Sequence, residues 1–109
     1  MNANRDADRW GALADGTRLA IVARLADGPQ AVGQLAAGLP VSRSAVSQHL
    51  KILKDAGLVE DVAAGTRRIY RLNPVALAAL RDQLDTYWQR ALAGYARAAA
   101  APAEDDKEA

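Results

Sequence analysis

The stretch SRSAVSQHLKILKDAGLV, residues 42–59, decides the fold of this chain. Its apolar residues Val46, Leu50 and Leu53 recur four and three positions apart, which is the spacing of one face of an α-helix. Ser42 is a favoured N-cap residue, and Gly57 suits the left-handed position that follows many helices. The stretch therefore predicts an amphipathic helix that begins next to Ser42 and ends before Gly57.

Two helices are predicted nearer the start of the chain. Asp6 or Asp8 is predicted to cap the first, which runs to about Leu13. Asp15 is predicted to cap the second, and the cluster Asp27-Gly28-Pro29 stops it.

A third, short helix is predicted over residues 31–37, directly before the deciding stretch. The turn Gly38-Leu39-Pro40 separates it from the helix that begins next to Ser42. A short helix joined to a longer one by a tight turn with a glycine is typical of a helix-turn-helix motif. The chain is therefore predicted to contain this motif.

Beyond Gly57 the apolar residues no longer follow a helical period. Residues 58–62 and 67–72 are strand-like and are joined by residues 63–66, which predicts a β-hairpin, the wing (residues 58–72). Asn73 and Pro74 are typical of a helix start and predict a last helix of two dozen or more residues.

The predicted fold is mainly α with a small β-hairpin. It is a winged helix-turn-helix with the element order α-α-α-α-β-β-α. Residues 1–101 are predicted to form one DNA-binding and dimerisation domain, because no repeat or linker divides them. Residues 102–109 are small or acidic and predict a disordered acidic tail.

Three segments resemble the ArsR (arsenical-resistance repressor) family of bacterial regulators. They are ALADGTRLAIVARLADGP, QLAAGLPVSRSAVSQHLKILKDAGLV and GTRRIYRLNP, and the resemblance covers roughly residues 10–95. The pattern SxxxVSxHLxxLxxAGLV, from Ser42 to Val59, is its most specific part. The resemblance implies a dimeric winged helix that represses an operator, often at its own promoter, and releases it when an inducer binds.

The polar face of the helix after Ser42 is the predicted DNA-reading surface. Arginine can bind guanine and glutamine can bind adenine in the major groove, whereas serine hydroxyls and lysine suit phosphate oxygens. These positions match the positions that read DNA in the resembling family. The alternative is a polar, solvated helix face. The predicted DNA-binding residues of this helix are Ser42, Arg43, Ser44, Ser47, Gln48, His49 and Lys51.

The wing is predicted to bind DNA through Thr66, Arg67 and Arg68, which lie at or beside the hairpin tip. There the arginines could reach the DNA backbone or an adjacent minor groove. The alternative is a pair of charges that keeps an edge strand from aggregating.

The net charge of +1 hides an uneven distribution of charged residues. Residues 42–72 carry six basic residues against three acidic ones, whereas Glu104–Ala109 holds four acids and one lysine. A basic middle suggests a surface that faces a polyanion. The basic residues are Arg43, Lys51, Lys54, Arg67, Arg68 and Arg71.

No metal or other cofactor is predicted. The chain has no cysteine, and its only histidine, His49, is interpreted as structural or phosphate-contacting. Metal-sensing members of the resembling family carry cysteines where this chain has residues 35–38, or ligands on the last helix, where Asp82 and Asp85 have no histidine beside them. The inducer, if there is one, is unknown.

The last helix has a wider apolar face than a lone surface helix needs. One stripe could cover the domain's own core, and the other is then left for a second copy, as the resemblance implies. The alternative is a monomer whose core both stripes cover. The predicted dimer-interface residues are Trp10, Leu80, Leu84, Tyr87, Trp88, Ala91 and Tyr95.

The predicted function is sequence-specific transcription regulation by a bacterial homodimeric repressor with an inverted-repeat operator. An enzyme is not predicted, because no nucleophile has a plausible base and no glycine loop could cradle a phosphate. Two alternatives stay open: a winged-helix protein-interaction module without its own operator, and a dual activator and repressor. The apolar runs are too short for a membrane span and no leader is evident, so we expect a cytoplasmic protein.

Overall fold

The computed structural model describes residues 2–101, and the side chains of residues 7–101. The described residues divide into two compact units, residues 2–78 and 79–101. The elements are α1 (Asn2–Leu13), α2 (Gly16–Leu25), β1 (Gln30–Ala31), α3 (Val32–Ala37), α4 (Arg43–Asp55), β2 (Val59–Ala64), β3 (Arg67–Leu72) and α5 (Pro74–Ala100). This order matches a winged helix-turn-helix, with one strand more than the sequence predicted.

The additional strand is β1, which makes an antiparallel sheet of order β1-β3-β2. Gln30 pairs with Tyr70 and Ala31 with Ile69. The third helix therefore begins at Val32, and Ala31 is its extended N-cap rather than its first residue. Two residues are too few to show the alternation that identifies a strand in a sequence.

The hairpin connection is shorter than predicted. Ala63 and Ala64 continue the ladder opposite Arg68 and Arg67, so only two residues lie between the strands instead of four. Gly65 is the first of them and has φ +66°, which a two-residue turn of type II′ requires at that position.

The predicted start of the first helix is also wrong. Helix α1 begins at Asn2, several residues before Asp6 and Asp8. Neither glycine nor proline interrupts this segment, so nothing stops the helix from extending past the two aspartates.

Helix α4 packs into the core of the first unit as its sequence predicted. Val46, Leu50 and Leu53 are fully buried, together with Leu35 of α3 and Ile21 of α2. Burying a side chain of this kind contributes about 1.5–3 kcal/mol. The apolar stripe therefore fixes which face of α4 points outward.

Helix α5 begins as predicted, at the Asn73-Pro74 step. Asn73 Oδ1 accepts a hydrogen bond from the backbone N–H of Val75 at 3.0 Å, and its Nδ2 donates to the carbonyl of Gly57 at 3.2 Å. One side chain thus joins the end of the wing to the end of α4. The 27 residues of α5 span about 40 Å at 1.5 Å per residue.

The predicted acidic tail lies outside the described residues, so the boundary at residue 101 stays a prediction. Among the described helices, none is long and apolar enough to span a bilayer.

Candidate nucleic-acid interface

Both ends of α4 are held by local hydrogen bonds. At its start, Ser42 Oγ accepts from the backbone N–H of Ala45 at 3.0 Å, which confirms the predicted N-cap. At its end, the N–H of Gly57 donates to the carbonyl of Lys54, and the N–H of Leu58 donates to that of Leu53, both at 2.9 Å. This pair of bonds is the Schellman motif, and the φ of +80° at Gly57 provides its left-handed residue.

The face of α4 opposite the buried stripe is polar and open to solvent. On this face Lys51 Nζ lies 3.0 Å from Asp55 Oδ2, and both side chains are exposed. Such an ion pair contributes little to stability in water, so another anion can replace Asp55 as the partner of Lys51. The predicted reading residues that are exposed are Ser42, Arg43, Ser44, Ser47, Gln48 and Lys51.

His49, the remaining predicted residue of this helix, is partly buried and joins α4 to α2. Its Nδ1 lies 3.2 Å from Nη1 of Arg18 and 3.9 Å from Oδ2 of Asp15. Arg18 is itself fixed, because its Nε donates to the carbonyl of Ala12 at 2.7 Å. The backbone N–H of Arg18 donates to Asp15 and holds the pKa of that carboxyl below its usual value. These contacts fit a structural histidine.

The wing is connected to α4 by a carboxylate that sequence reasoning missed. Asp61 of β2 accepts a hydrogen bond from Lys54 Nζ at 2.8 Å and another from Nε of Arg68, and its side chain is only 5% exposed. These two hydrogen bonds, with Lys54 the larger influence, hold the pKa of Asp61 below its usual value. The Arg68 guanidinium, predicted to contact DNA, is therefore paired within the protein.

Arg67, next along the strand, has a different environment. Its Nη2 donates to Oε1 of Gln34 at 3.3 Å, and the same oxygen accepts from the backbone N–H of Ala31 at 2.8 Å. Gln34 is therefore fixed at the start of α3 and reaches across to the wing. Nothing local in the sequence signals this contact, because 33 residues separate the two partners.

Arg43 also lies close to the start of α3. A Cβ on Gly33 would lie 3.7 Å from Nη1 of Arg43, so the guanidinium rests against the first turn of α3. Arg43, Gln34, Thr66 and Arg67 line one open cleft between α3 and the wing.

The second unit carries exposed apolar side chains along α5. Leu84 and Trp88 are 57% and 59% exposed and line a shallow apolar groove together with Tyr87 and Ala91. Leu80 differs from them, because it is only 6% exposed within the single chain. Tyr95, farther along the helix, is also exposed.

The predicted Trp10 is half-buried on α1, and its place in an interface stays a prediction. Within the described residues, His, Asp and Glu side chains nowhere gather in threes that could hold a metal ion.

Comparison with known proteins identifies the family of this fold. Residues 15–61, from the α2 cap into β2, match the family model described as bacterial regulatory protein, arsR family. The chain is 66% identical over 98 residues to the HTH-type transcriptional regulator Rv2034 of Mycobacterium tuberculosis, covering 89% of this chain and 92% of that protein. The chain belongs to the ArsR family of bacterial regulatory proteins. ArsR-family regulators bind DNA, and this chain is therefore a transcriptional regulator with a winged helix-turn-helix DNA-binding domain.

Solved ArsR-family structures agree with this fold. An ArsR-like transcriptional regulator from Rhodococcus sp. RHA1 superposes with a TM-score of 0.73 at 34% identity, over 90% of this chain and 95% of that one. The homodimeric winged helix-turn-helix DNA-binding domain Mb0332 of Mycobacterium bovis superposes with a TM-score of 0.67 at 31% identity, over 78% and 80%. The predicted resemblance and the predicted fold class are both confirmed.

Proposed function

We propose that the protein is a homodimeric repressor that binds an inverted-repeat operator, with α4 in the major groove and the wing on the adjacent backbone or minor groove. The observation that carries the proposal is the exposed polar face of α4, which the buried stripe and the two caps hold outward. Acting on bacterial DNA, such a protein works in the cytoplasm.

We assign base reading to the middle of this face. Gln48 can form a bidentate contact with adenine, and Ser44 and Ser47 flank it as smaller donors and acceptors. Lys51 exchanges Asp55 for a phosphate. The sequence suggested a guanine contact for Arg43, but its guanidinium rests against α3, which favours a phosphate contact instead.

A second copy of the chain is the proposed partner of α5. In a monomer, a large apolar surface formed by Leu84, Tyr87 and Trp88 would be exposed to water. Monomeric soluble proteins seldom expose a large apolar patch of this kind. The homodimeric Mb0332 relative supports the same assembly. Leu80 is left out of the proposed interface because it is already buried. A two-fold dimer presents its reading helices symmetrically, so the operator is an inverted repeat. The two helices lie about 34 Å apart, which is one turn of DNA.

The test is fluorescence anisotropy with a labelled duplex from upstream of the protein's own gene and unlabelled random duplex as competitor. We expect a Kd of roughly 10⁻⁸ M or tighter that survives the competitor and weakens steeply with salt, because phosphate neutralisation releases counterions. Binding that is weak and indifferent to sequence would contradict an operator of its own, and would favour a winged helix whose partner is another protein.

A further inference from the structure

The six basic residues of α4 and the wing differ in whether they form ion pairs. Four of them pair with the three acidic residues of the same segment: Lys51 with Asp55, Arg71 with Glu60, and both Lys54 and Arg68 with Asp61. Arg43 and Arg67 are the two that form no ion pair with an acid in the described part of the chain.

These two arginines line the same cleft, and Arg68, which is paired with Asp61, also contributes to its lining. The cleft lies between α3, the first residue of α4 and the wing, and encloses about 530 Å³. Arg43 approaches it from α4, Arg67 from β3, and none of the described residues that line it is acidic. A site with two uncompensated guanidinium groups on opposite sides favours an oxyanion between them, because arginine donates several N–H groups in a fixed fork.

Gln34 determines where the Arg67 guanidinium points. Its Oε1 is fixed by the backbone N–H of Ala31 and accepts from Nη2 of Arg67. A neutral amide orients the arginine without cancelling its charge, whereas the carboxylate of Asp61, which is shared with Lys54, offsets part of the charge of the neighbouring Arg68. Of these two adjacent residues of β3, Arg68 is thus paired with a carboxylate and Arg67 is not.

We propose that this cleft binds one phosphodiester of the DNA backbone, with Arg43 and Arg67 as its cations and Gln34 as the residue that positions Arg67. The inference rests on the proposed function and deepens it, since one phosphate held from both sides would fix the wing and α4 on the same DNA strand. Arg68, which the sequence grouped with Arg67, then serves to connect the wing to α4 and contributes little to binding.

The experiment measures the salt dependence of affinity for a labelled random-sequence duplex, from about 50 to 200 mM KCl. Each phosphate contact contributes about 0.9 to the slope of log K against log salt. We expect the double variant R43A/R67A to lower the slope by about that amount, which corresponds to roughly an eight-fold loss of affinity at 0.1 M salt. R67A and R43A should each lower it by part of that amount, because the remaining arginine still contacts the one phosphodiester. R68A is the matched control from the same strand and should leave the slope close to that of the wild type.

The positioning role of Gln34 is tested by its coupling to Arg67. Q34A should weaken DNA binding several-fold in the wild type and have no further effect in the R67A background. A merely structural role would instead weaken both backgrounds equally. In Q34E the carboxylate can still accept from the Ala31 N–H as a capping-box glutamate does, yet it neutralises Arg67. Q34E should therefore keep the urea midpoint of the wild type and lower the slope as R67A does.

Three outcomes would overturn the inference. The first is an R68A slope that falls as far as the R67A slope. The second is an unchanged slope in R67A while the wild type still distinguishes operator from random DNA, which leaves the proposed function standing. The third is saturable binding of inorganic phosphate that R67A abolishes without any change in its DNA slope, which would make the cleft a small-anion site. Absence of any DNA binding by the wild type would instead contradict the proposed function itself.

Discussion

Replacing Asp61 by asparagine is expected to separate the wing from α4. In the wild type the Asp61 carboxylate accepts hydrogen bonds from Lys54 and Arg68 while only 5% exposed. The asparagine amide keeps the size of the side chain but removes the charge, and its single oxygen can accept from only one of the two cations, because the N–H₂ group that replaces the other oxygen is a donor.

The expected cost is about 2 kcal/mol of unfolding free energy. Removing one member of a well-buried ion pair costs about 3–5 kcal/mol when its partner is left uncompensated inside the protein. Lys54 and Arg68 are each more than half exposed and can turn toward water, so the loss should be lower than that range. Hydrogen bonds to charged groups contribute about 1.5–3 kcal/mol, which supports the same figure.

The assay is urea unfolding at one fixed protein concentration, because oligomerisation makes the apparent stability of the protein depend on concentration. With a slope of about 1–2 kcal/mol per molar urea, the midpoint of D61N should fall by about 1–2 M. D55N is the matched control: Asp55 also pairs with a lysine at 3.0 Å but is 66% exposed, so its loss should stay below about 0.5 kcal/mol.

The effect of D61N also depends on pH in a defined direction. The folded-state pKa of Asp61 lies below its ordinary value of 3.8, so its contribution is fully present above that pH and is lost as the pH falls through the folded value. The difference between wild type and D61N should therefore be constant from neutral pH to about pH 5 and narrow below about pH 4. Equal losses in D61N and D55N, or a difference that grows on acidification, would refute this reasoning.

Three further predictions test the ends of the helices and the proposed interface. S42A should cost about 1 kcal/mol in urea unfolding because it removes the N-cap bond, and S42N should recover most of it. G57A should cost about 1 kcal/mol or more because its φ is +80°, whereas G11A, with open space at its Cβ in α1, should stabilise; equal effects would contradict the backbone argument. L84E and W88E should each convert a dimer to a monomer in light scattering, and an unchanged mass would refute the proposed interface.

Helix α4 was predictable because all its determinants are local in the sequence. The apolar spacing, the cap at Ser42 and the glycine at position 57 lie within one stretch, and the structure confirms each of them. The exposed polar face follows from the same period, since burying Val46, Leu50 and Leu53 leaves the opposite side in water.

The elements that the sequence did not reveal depend on contacts between distant residues. Strand β1 exists because Gln30 and Ala31 meet the far edge of β3, and two residues carry no pattern of their own. The extended start of α1 lacks any stop signal, so two capping-type aspartates were misleading.

The difference between the two wing arginines was likewise beyond sequence reasoning. Arg67 and Arg68 are adjacent and chemically identical, yet the first meets Gln34 of α3 and the second meets Asp61 of β2. The register of the hairpin and the packing of α3 determine these partners, and neither is encoded within the segment itself.

The most direct test of the central claim compares the wild type with the triple variant S44A/S47A/Q48A on operator and random duplexes. Alanine keeps α4 helical, so the change removes only polar groups from the exposed face. We expect affinity for the operator to fall by about 1–3 kcal/mol for each base that the variant can no longer bind, while affinity for random DNA stays nearly the same, because phosphate contacts are retained. An unchanged ratio between operator and random DNA would show that α4 does not read the bases, and would contradict the account.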